Sequence, residues 1–106
     1  MKKILFDQGV PVPLRMNLAE YEIDTVFERG WSTFSNGNLL DLAEQHGFEV
    51  FITTDQNLKY QQNLADRQLV IIVLLSTSWP RIQLRANEIK IAVEMIESGG
   101  YQEIEV

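Results

Sequence analysis

The chain has 106 residues, of which 45% are hydrophobic, and its 15 acidic residues outnumber its 9 basic ones to give a net charge of −6. This length fits a single domain over residues 1–106 with a sizeable core. The absence of cysteine excludes disulfides and thiolate metal sites. The acidic balance argues against unassisted binding to long nucleic acid, because proteins that bind it usually present a basic face to the phosphates.

The apolar stretches of the chain are all short. Only three apolar residues separate Lys3 from Asp7, which is too few for the apolar core of a signal peptide. No stretch approaches the roughly 18 consecutive apolar residues of a membrane span. We therefore expect a cytoplasmic protein that makes no contact with a membrane.

The first half of the chain alternates between strand-like and helix-like stretches. Residues 2–6 predict a buried strand, and a turn leads from it into a short helix over 14–20. Charged and apolar residues alternate over 22–27, which predicts a more exposed strand. A loop then leads to a helix over 39–46, which is expected to end at Gly47.

The second half continues the alternation. We predict a strand over 50–54, a helix over 58–65, an apolar strand over 69–75, a long helix over 80–98 and a last edge strand over 101–106. Alternating strands and helices predict an α/β domain of the Rossmann-like, three-layer kind. Its mainly parallel central sheet should have about five strands, with helices on both faces.

Two stripes of apolar residues run along the surface of the predicted long helix. The first recurs at spacings of three and four and should face the sheet; its members are Ile82, Ala86, Ile89, Val93 and Ile96. The second lies on another side of the helix and consists of Leu84, Ile91 and Met95. This second stripe predicts either a homodimer contact or further packing within the chain.

Two apolar strands each run into an aspartate. Residues 4–6 lead into Asp7, and residues 50–54 lead into Asp55. Ligand sites of open parallel sheets lie beyond the carboxyl ends of the strands, so we expect the two carboxylates to meet there. Such a pair suits a hard divalent cation. The alternative is that each aspartate only ends its strand by forming a turn or capping a helix.

The other conspicuous residues favour structure over chemistry. His46, the only histidine, precedes the expected helix stop, where it meets the helix dipole favourably and caps free carbonyls. No serine or glycine context resembles a nucleophile elbow, which excludes acyl transfer. Trp31 and Trp79 are placed on loop margins, where each either stacks on a base or covers an edge of the core.

The order of these segments resembles the PIN-like domains, in particular a small bacterial group often described as toxin components of toxin–antitoxin systems. The resemblance runs over nearly the whole chain. It rests on the strand ending in Asp7, the segments 36–41 and 47–50, and Thr53-Thr54-Asp55. The segment that ends in Asp55 is the most specific of these.

In that family, acidic residues at the carboxyl edge of the sheet bind Mg²⁺ or Mn²⁺ for cleavage of phosphodiester bonds in RNA. The resemblance therefore implies a metal-dependent ribonuclease in which Asp7 and Asp55 are catalytic residues and metal ligands. Asn36, Asp41 and Asn57 are the candidates to complete the metal site. The resemblance also implies an antitoxin-like protein as a partner.

The chain departs from the family pattern at three positions. Gln8, Asn36 and Asn57 stand where many relatives carry acids. Amides are neutral ligands, so we expect the cation to bind weakly. These departures leave open the alternative of a non-catalytic PIN-like module that binds a partner protein.

A receiver-like phosphoacceptor domain is a further alternative. Receiver domains also place an aspartate after the third strand, which would make Asp55 the phosphoacceptor and Asp7 a ligand of Mg²⁺. Such a site needs a second acid beside the first aspartate and a lysine after the last strand. This chain has Gln8 at the first place and no lysine after Lys90, so the alternative has the least support.

Overall fold

The computed structural model describes residues 2–61, 64 and 67–106. These residues form five strands, β1 to β5 in chain order: Lys3–Phe6, Glu22–Thr25, Val50–Thr53, Val70–Leu74 and Tyr101–Ile104. A 3₁₀ helix, Val12–Leu18, follows β1. The α-helices α1 to α4 are Asn36–Gln45, Leu58–Gln61, Trp79–Leu84 and Ala86–Met95. Among the described residues, no helix is long and apolar enough to cross a membrane.

All five strands are parallel and lie in the order β2-β1-β3-β4-β5. Successive strand residues point to opposite faces, so Ile4 and Phe6 of β1 pack on one face and Leu5 packs on the other. The 3₁₀ helix, α3 and α4 cover the first face, and α1 and α2 cover the second. The prediction of a parallel α/β sheet with helices on both faces is confirmed.

The connection from β4 to β5 crosses the same face as the connection from β1 to β2, although the two run in opposite directions along the sheet. The connections from β2 to β3 and from β3 to β4 cross the other face. The β4–β5 connection, made by α3 and α4, therefore has the opposite hand to the other three. Crossover connections between parallel strands nearly always share one hand, so this connection is an exception. It brings α4 against the 3₁₀ helix.

The middle helix, α1, begins earlier than predicted. It starts at Asn36 instead of position 39, because Ser35 is the N-cap and its hydroxyl accepts a bond from the Asn38 N–H at 3.5 Å. Its end is as predicted. Gly47 adopts a φ of +82°, and its N–H closes the last turn on the carbonyl of Glu44.

Two other predicted helices differ in type or length. The helix predicted over 14–20 is the 3₁₀ helix Val12–Leu18, which has a proline in its first turn. Of the helix predicted over 58–65, the first four residues form α2, and positions 62, 63 and 65 lie outside the described residues.

The prediction of one long helix over 80–98 is wrong. The helix is interrupted at Arg85, whose φ of −109° and ψ of 10° are not helical, and α4 ends before the extended residue Ile96. A continuous helix over 80–98 would be about 28 Å long, whereas strands of four or five residues span about 13–17 Å. Division into two shorter helices lets both pack over the sheet.

The two apolar stripes of this segment have different environments. Ile82, Ile89 and Val93 of the first stripe are fully buried against the sheet, as predicted. The second stripe stays largely exposed, with exposed fractions of 85%, 54% and 75% for Leu84, Ile91 and Met95. Packing of the second stripe within the chain, one of its two predicted roles, is therefore wrong.

Two isoleucines of α4 provide a matched test of this packing. Ile89→Ala should lower the free energy of unfolding by about 2–5 kcal/mol, because it leaves a cavity in the core. Ile91→Ala should change it by no more than about 0.5 kcal/mol, since that side chain is half-exposed. Urea unfolding measures both values, and equal losses would contradict the orientation of α4.

Candidate functional site

The carboxyl ends of β1 and β3 form the candidate site. The two strands are neighbours, and the chain leaves β1 toward one face of the sheet and β3 toward the other. The crevice at such a reversal is where open α/β sheets bind ligands. Asp7 directly follows β1, and Asp55 lies two residues beyond the end of β3. Both predicted aspartates are thus delivered to this crevice.

The side chain of Thr53, the last residue of β3, connects the two aspartate segments. Its hydroxyl donates a hydrogen bond of 2.7 Å to Asp7 Oδ2 and accepts one of 3.0 Å from the backbone N–H of Asp55. A hydroxyl has one hydrogen to donate and two lone pairs to accept, so both bonds form at once. Thr53 is fully buried, and it therefore ties both segments to the core.

Each carboxylate oxygen of the pair accepts a hydrogen bond. Besides the Thr53 bond, Asp7 accepts one of 2.9 Å at Oδ1 from the N–H of Gln8. Asp55 accepts from the N–H of Asn57 at 2.9 Å and from the side-chain amide of Asn36 at 3.0 Å. A carboxylate has about four lone-pair positions. Two of these bonds per group leave capacity to ligate a cation while fixing the orientation of each carboxylate.

The close approach of the two strand ends favours a glycine at position 9. A Cβ atom added there would lie 2.1 Å from the hydroxyl oxygen of Thr54. A larger side chain fits only if the Thr54 side chain rotates or one segment shifts. Gly9 therefore allows the turn after Asp7 to pass against the segment that carries Asp55.

The other three predicted metal ligands have different positions. Asn36 contacts Asp55 directly, and Asn57 is tied to the same carboxylate through its backbone N–H. Asp41 instead receives a bond of 2.9 Å from Arg67, which also binds Glu44 of α1 at 2.6 Å. The carboxylate of Asp41 thus helps to hold the segment before β4 against α1.

The donor set is small for a divalent cation. Within the part of the chain that the structure describes, no group of three or more acidic, histidine or cysteine side chains is arranged to hold a metal ion. The site has two carboxylates, Asp7 and Asp55, and the groups bonded to them are neutral. Carboxylate oxygens are the donors that a hard cation such as Mg²⁺ or Mn²⁺ takes, and only two charged ligands predict a low affinity, because affinity rises with the number of charged ligands.

A turn after β2 was missed by the sequence prediction. The strand predicted over 22–27 ends at Thr25, because Thr25 and Glu28 bond reciprocally: each backbone N–H donates to the other side chain, at 2.9 and 3.0 Å. This is the arrangement of a capping box, and the Thr-x-x-Glu spacing is its signal in the sequence. Phe27 therefore lies in a turn and is 77% exposed, instead of belonging to the predicted strand.

An ion pair fixes this turn to the 3₁₀ helix. Arg15 donates to both carboxylate oxygens of Glu28, at 3.3 Å for the Nη1–Oε2 bond, and to the carbonyl of Ile23 at 3.2 Å. The bonds from Arg15 and from the Thr25 N–H lower the pKa of Glu28 to about 2. Glu28 is therefore ionised at neutral pH, and its charge is balanced by Arg15.

His46 and the two tryptophans have structural surroundings. The Arg29 guanidinium donates to His46 Nδ1 at 2.9 Å, and the His46 ring packs edge-on against Trp31 at 5.1 Å. Trp31 is 8% exposed and belongs to the core under α1, while Trp79 packs partly buried against the other core. The core-covering role is thus the one observed for both tryptophans.

Comparison of the chain with protein-family models, with curated proteins and with solved structures finds no match. Membership of the PIN-like family therefore stays a prediction. The chemistry of the site rests on the residues and contacts described above.

The role of Thr53 has a direct test. Thr53→Val should lower the free energy of unfolding by about 1–3 kcal/mol, because Asp7 and the Asp55 N–H lose a shared partner. Thr53→Ser keeps the hydroxyl and should lose only about 1 kcal/mol for the buried methyl group. Urea unfolding at neutral pH compares the two. A valine variant as stable as wild type would show that the hydroxyl does not hold the site together.

Proposed function

We propose that this protein is a metal-dependent ribonuclease of the PIN-like type, in which Asp7 and Asp55 hold a Mg²⁺ or Mn²⁺ ion. The observation that carries the proposal is the buried Thr53 hydroxyl, which bonds to both aspartate segments at one crevice of the sheet. A bound divalent cation supplies a water of lowered pKa and positive charge beside the phosphodiester.

The residues of the chain prepare the two carboxylates for this role. The Gln8 N–H and the Thr53 hydroxyl orient Asp7, and the Asn57 N–H and the Asn36 amide orient Asp55. Partners of this kind fix the direction in which a ligand presents its oxygens. Because the chain carries a net charge of −6, RNA must be held mainly by the site itself, and short unpaired segments are the favoured substrates.

A non-catalytic PIN-like module is the second candidate. It is supported by the lack of a three-residue acidic or histidine group within the described ranges, and by amides at Gln8, Asn36 and Asn57. In this case the fold serves contact with a partner protein. If the chain is a toxin component, that partner is an antitoxin-like protein, and a neighbouring gene for such a protein would support this role.

A receiver-like domain is a third candidate, because its sheet has the same strand order as this one. A receiver domain needs a second acid beside its first aspartate and a lysine after its last strand, whereas this chain has Gln8 beside Asp7 and no lysine after Lys90. A mass gain after treatment with a small phosphodonor, lost in Asp55→Asn, would favour this candidate over the ribonuclease.

We also propose that the exposed stripe of α3 and α4 forms a homodimer contact. The proposal is supported by three large apolar side chains on this surface, Leu84, Ile91 and Met95. Burial of such a patch in a second copy removes apolar surface from water. Sedimentation should show a dimer that Ile91→Glu with Met95→Glu dissociates, whereas a monomer at all concentrations would contradict the contact.

Cleavage of RNA tests the ribonuclease. Purified protein with Mn²⁺ should cleave unstructured RNA, and Asp7→Asn or Asp55→Asn should each reduce the rate by about 100-fold or more. Even partners of metal ligands cost about 10–100-fold when replaced, and these residues are placed as the ligands themselves. Asp24→Asn is the matched control, because Asp24 lies in β2 and pairs with Arg29 at 3.4 Å.

Three results distinguish the candidates. Cleavage by wild type and by the Asp24 variant, but not by the Asp7 and Asp55 variants, supports the ribonuclease. Equal inactivity of wild type and variants, with circular dichroism unchanged, contradicts it and favours the partner-binding module. Equal activity in all of them would point to a contaminating nuclease.

A further inference from the structure

Phe27 is a large aromatic side chain that the fold holds in an exposed position. It is 77% exposed, yet its neighbour Val26 is buried and donates a backbone hydrogen bond of 2.8 Å to Phe6 in β1. The reciprocal bonds between Thr25 and Glu28 close the turn around it. A single exposed apolar side chain is ordinary on a protein surface. Phe27 differs from such a residue, because its turn is fixed at both ends and its ring lines a cavity.

The cavity next to Phe27 adjoins the candidate metal site. It has a volume of about 480 Å³ and is lined mainly by apolar groups, including Val10 and Val12. Asp7 and Gln8, which directly follow β1, also line it. Its volume lies within the range of small-molecule sites, about 300–1,000 Å³. Asp7 is therefore shared between the cavity and the proposed metal site.

The charges around the cavity favour a neutral occupant over a phosphate. Arg15 is the cationic side chain that lines the cavity, and both of its terminal nitrogens bond to Glu28. Because Glu28 has a pKa of about 2, this pair stays ionised and mutually balanced at neutral pH. The remaining charge is the carboxylate of Asp7, which repels an anion and attracts a cation. We therefore expect a phosphate group to bind the cation and not to enter the cavity.

We infer that this cavity binds one nucleobase of a single-stranded RNA, stacked on Phe27, next to the phosphodiester held at Asp7 and Asp55. The inference rests on the proposed ribonuclease function and adds to it a binding site for one base of the substrate. Bases must be unpaired to stack on an aromatic side chain, which excludes duplex RNA as the preferred ligand. The side-chain amide of Gln8 has both donors and an acceptor for the edge of the base, so several bases are accepted.

Binding measured in Mn²⁺, with oligonucleotides whose linkages resist hydrolysis, separates this inference from the chemistry. Fluorescence anisotropy is measured for a short single-stranded RNA and for an oligonucleotide of the same length whose sugars lack bases. Wild type should bind the intact RNA more tightly. Phe27→Ala should weaken binding of the intact RNA by about tenfold, a usual effect of losing one stacked base, and leave binding of the abasic oligonucleotide unchanged. Phe27→Trp should retain the preference for bases.

Tyr60→Ala is the matched control, because Tyr60 is also 77% exposed but does not line the cavity. This variant should bind both oligonucleotides as wild type does. Thermal unfolding of each variant should be unchanged, since both side chains are largely exposed.

The outcomes separate this inference from the ribonuclease proposal. Equal binding of intact RNA by wild type and Phe27→Ala, or equal binding of intact and abasic oligonucleotides by wild type, would overturn the base site even if RNA is cleaved. Base-dependent binding that requires Phe27, without any cleavage in Mn²⁺, would keep the base site and contradict the ribonuclease. Phe27-dependent binding of a lysine-rich peptide, without base-dependent binding of RNA, would overturn the base site in favour of a protein partner.

Discussion

The hydroxyl group of Thr53 is the contact on which the candidate site depends. A buried hydroxyl costs about 1–3 kcal/mol unless it is hydrogen-bonded, and at the end of β3 its partners are Asp7 and the Asp55 N–H. The core thus requires the two aspartate segments in place. The same proximity favours Gly9, because a Cβ there would meet the Thr54 hydroxyl in its present rotamer. Two segments separated by more than 40 positions in the chain are positioned as one unit by a threonine and a glycine.

The charged residues at the carboxyl edge of the sheet form two groups. Glu28 is balanced by Arg15 and fixes the turn that presents Phe27. Asp7 and Asp55 instead accept bonds from neutral donors, so their like charges have no basic side chain bonded to them among the described contacts. Like charges at one edge of the sheet repel each other. A divalent cation removes that repulsion, and a neutral base beside it adds none.

The sequence predicted the order of strands and helices, because each element has its own periodicity and stop signals; Gly47 ended α1 as expected. It also predicted that Asp7 and Asp55 follow strands of one parallel sheet. Other features depend on contacts between distant segments. The interruption at Arg85 follows from the short span of the sheet below. The pairing of Asp41 with Arg67 depends on how the segment before β4 meets α1, which no local pattern records. The turn around Phe27 had a local signal, in Thr25 and Glu28, that the alternation of β2 concealed.

Titration calorimetry with Mn²⁺ tests the central claim, that Asp7 and Asp55 form one cation site, most directly. Wild type should bind a single Mn²⁺ ion with a dissociation constant of about 0.1–1 mM, because only two carboxylates supply the charge. Asp7→Asn and Asp55→Asn should each abolish the heat of binding, and Asp24→Asn should leave it unchanged. Absence of any heat from wild type at millimolar Mn²⁺, or equal heat from wild type and both site variants, would contradict the account.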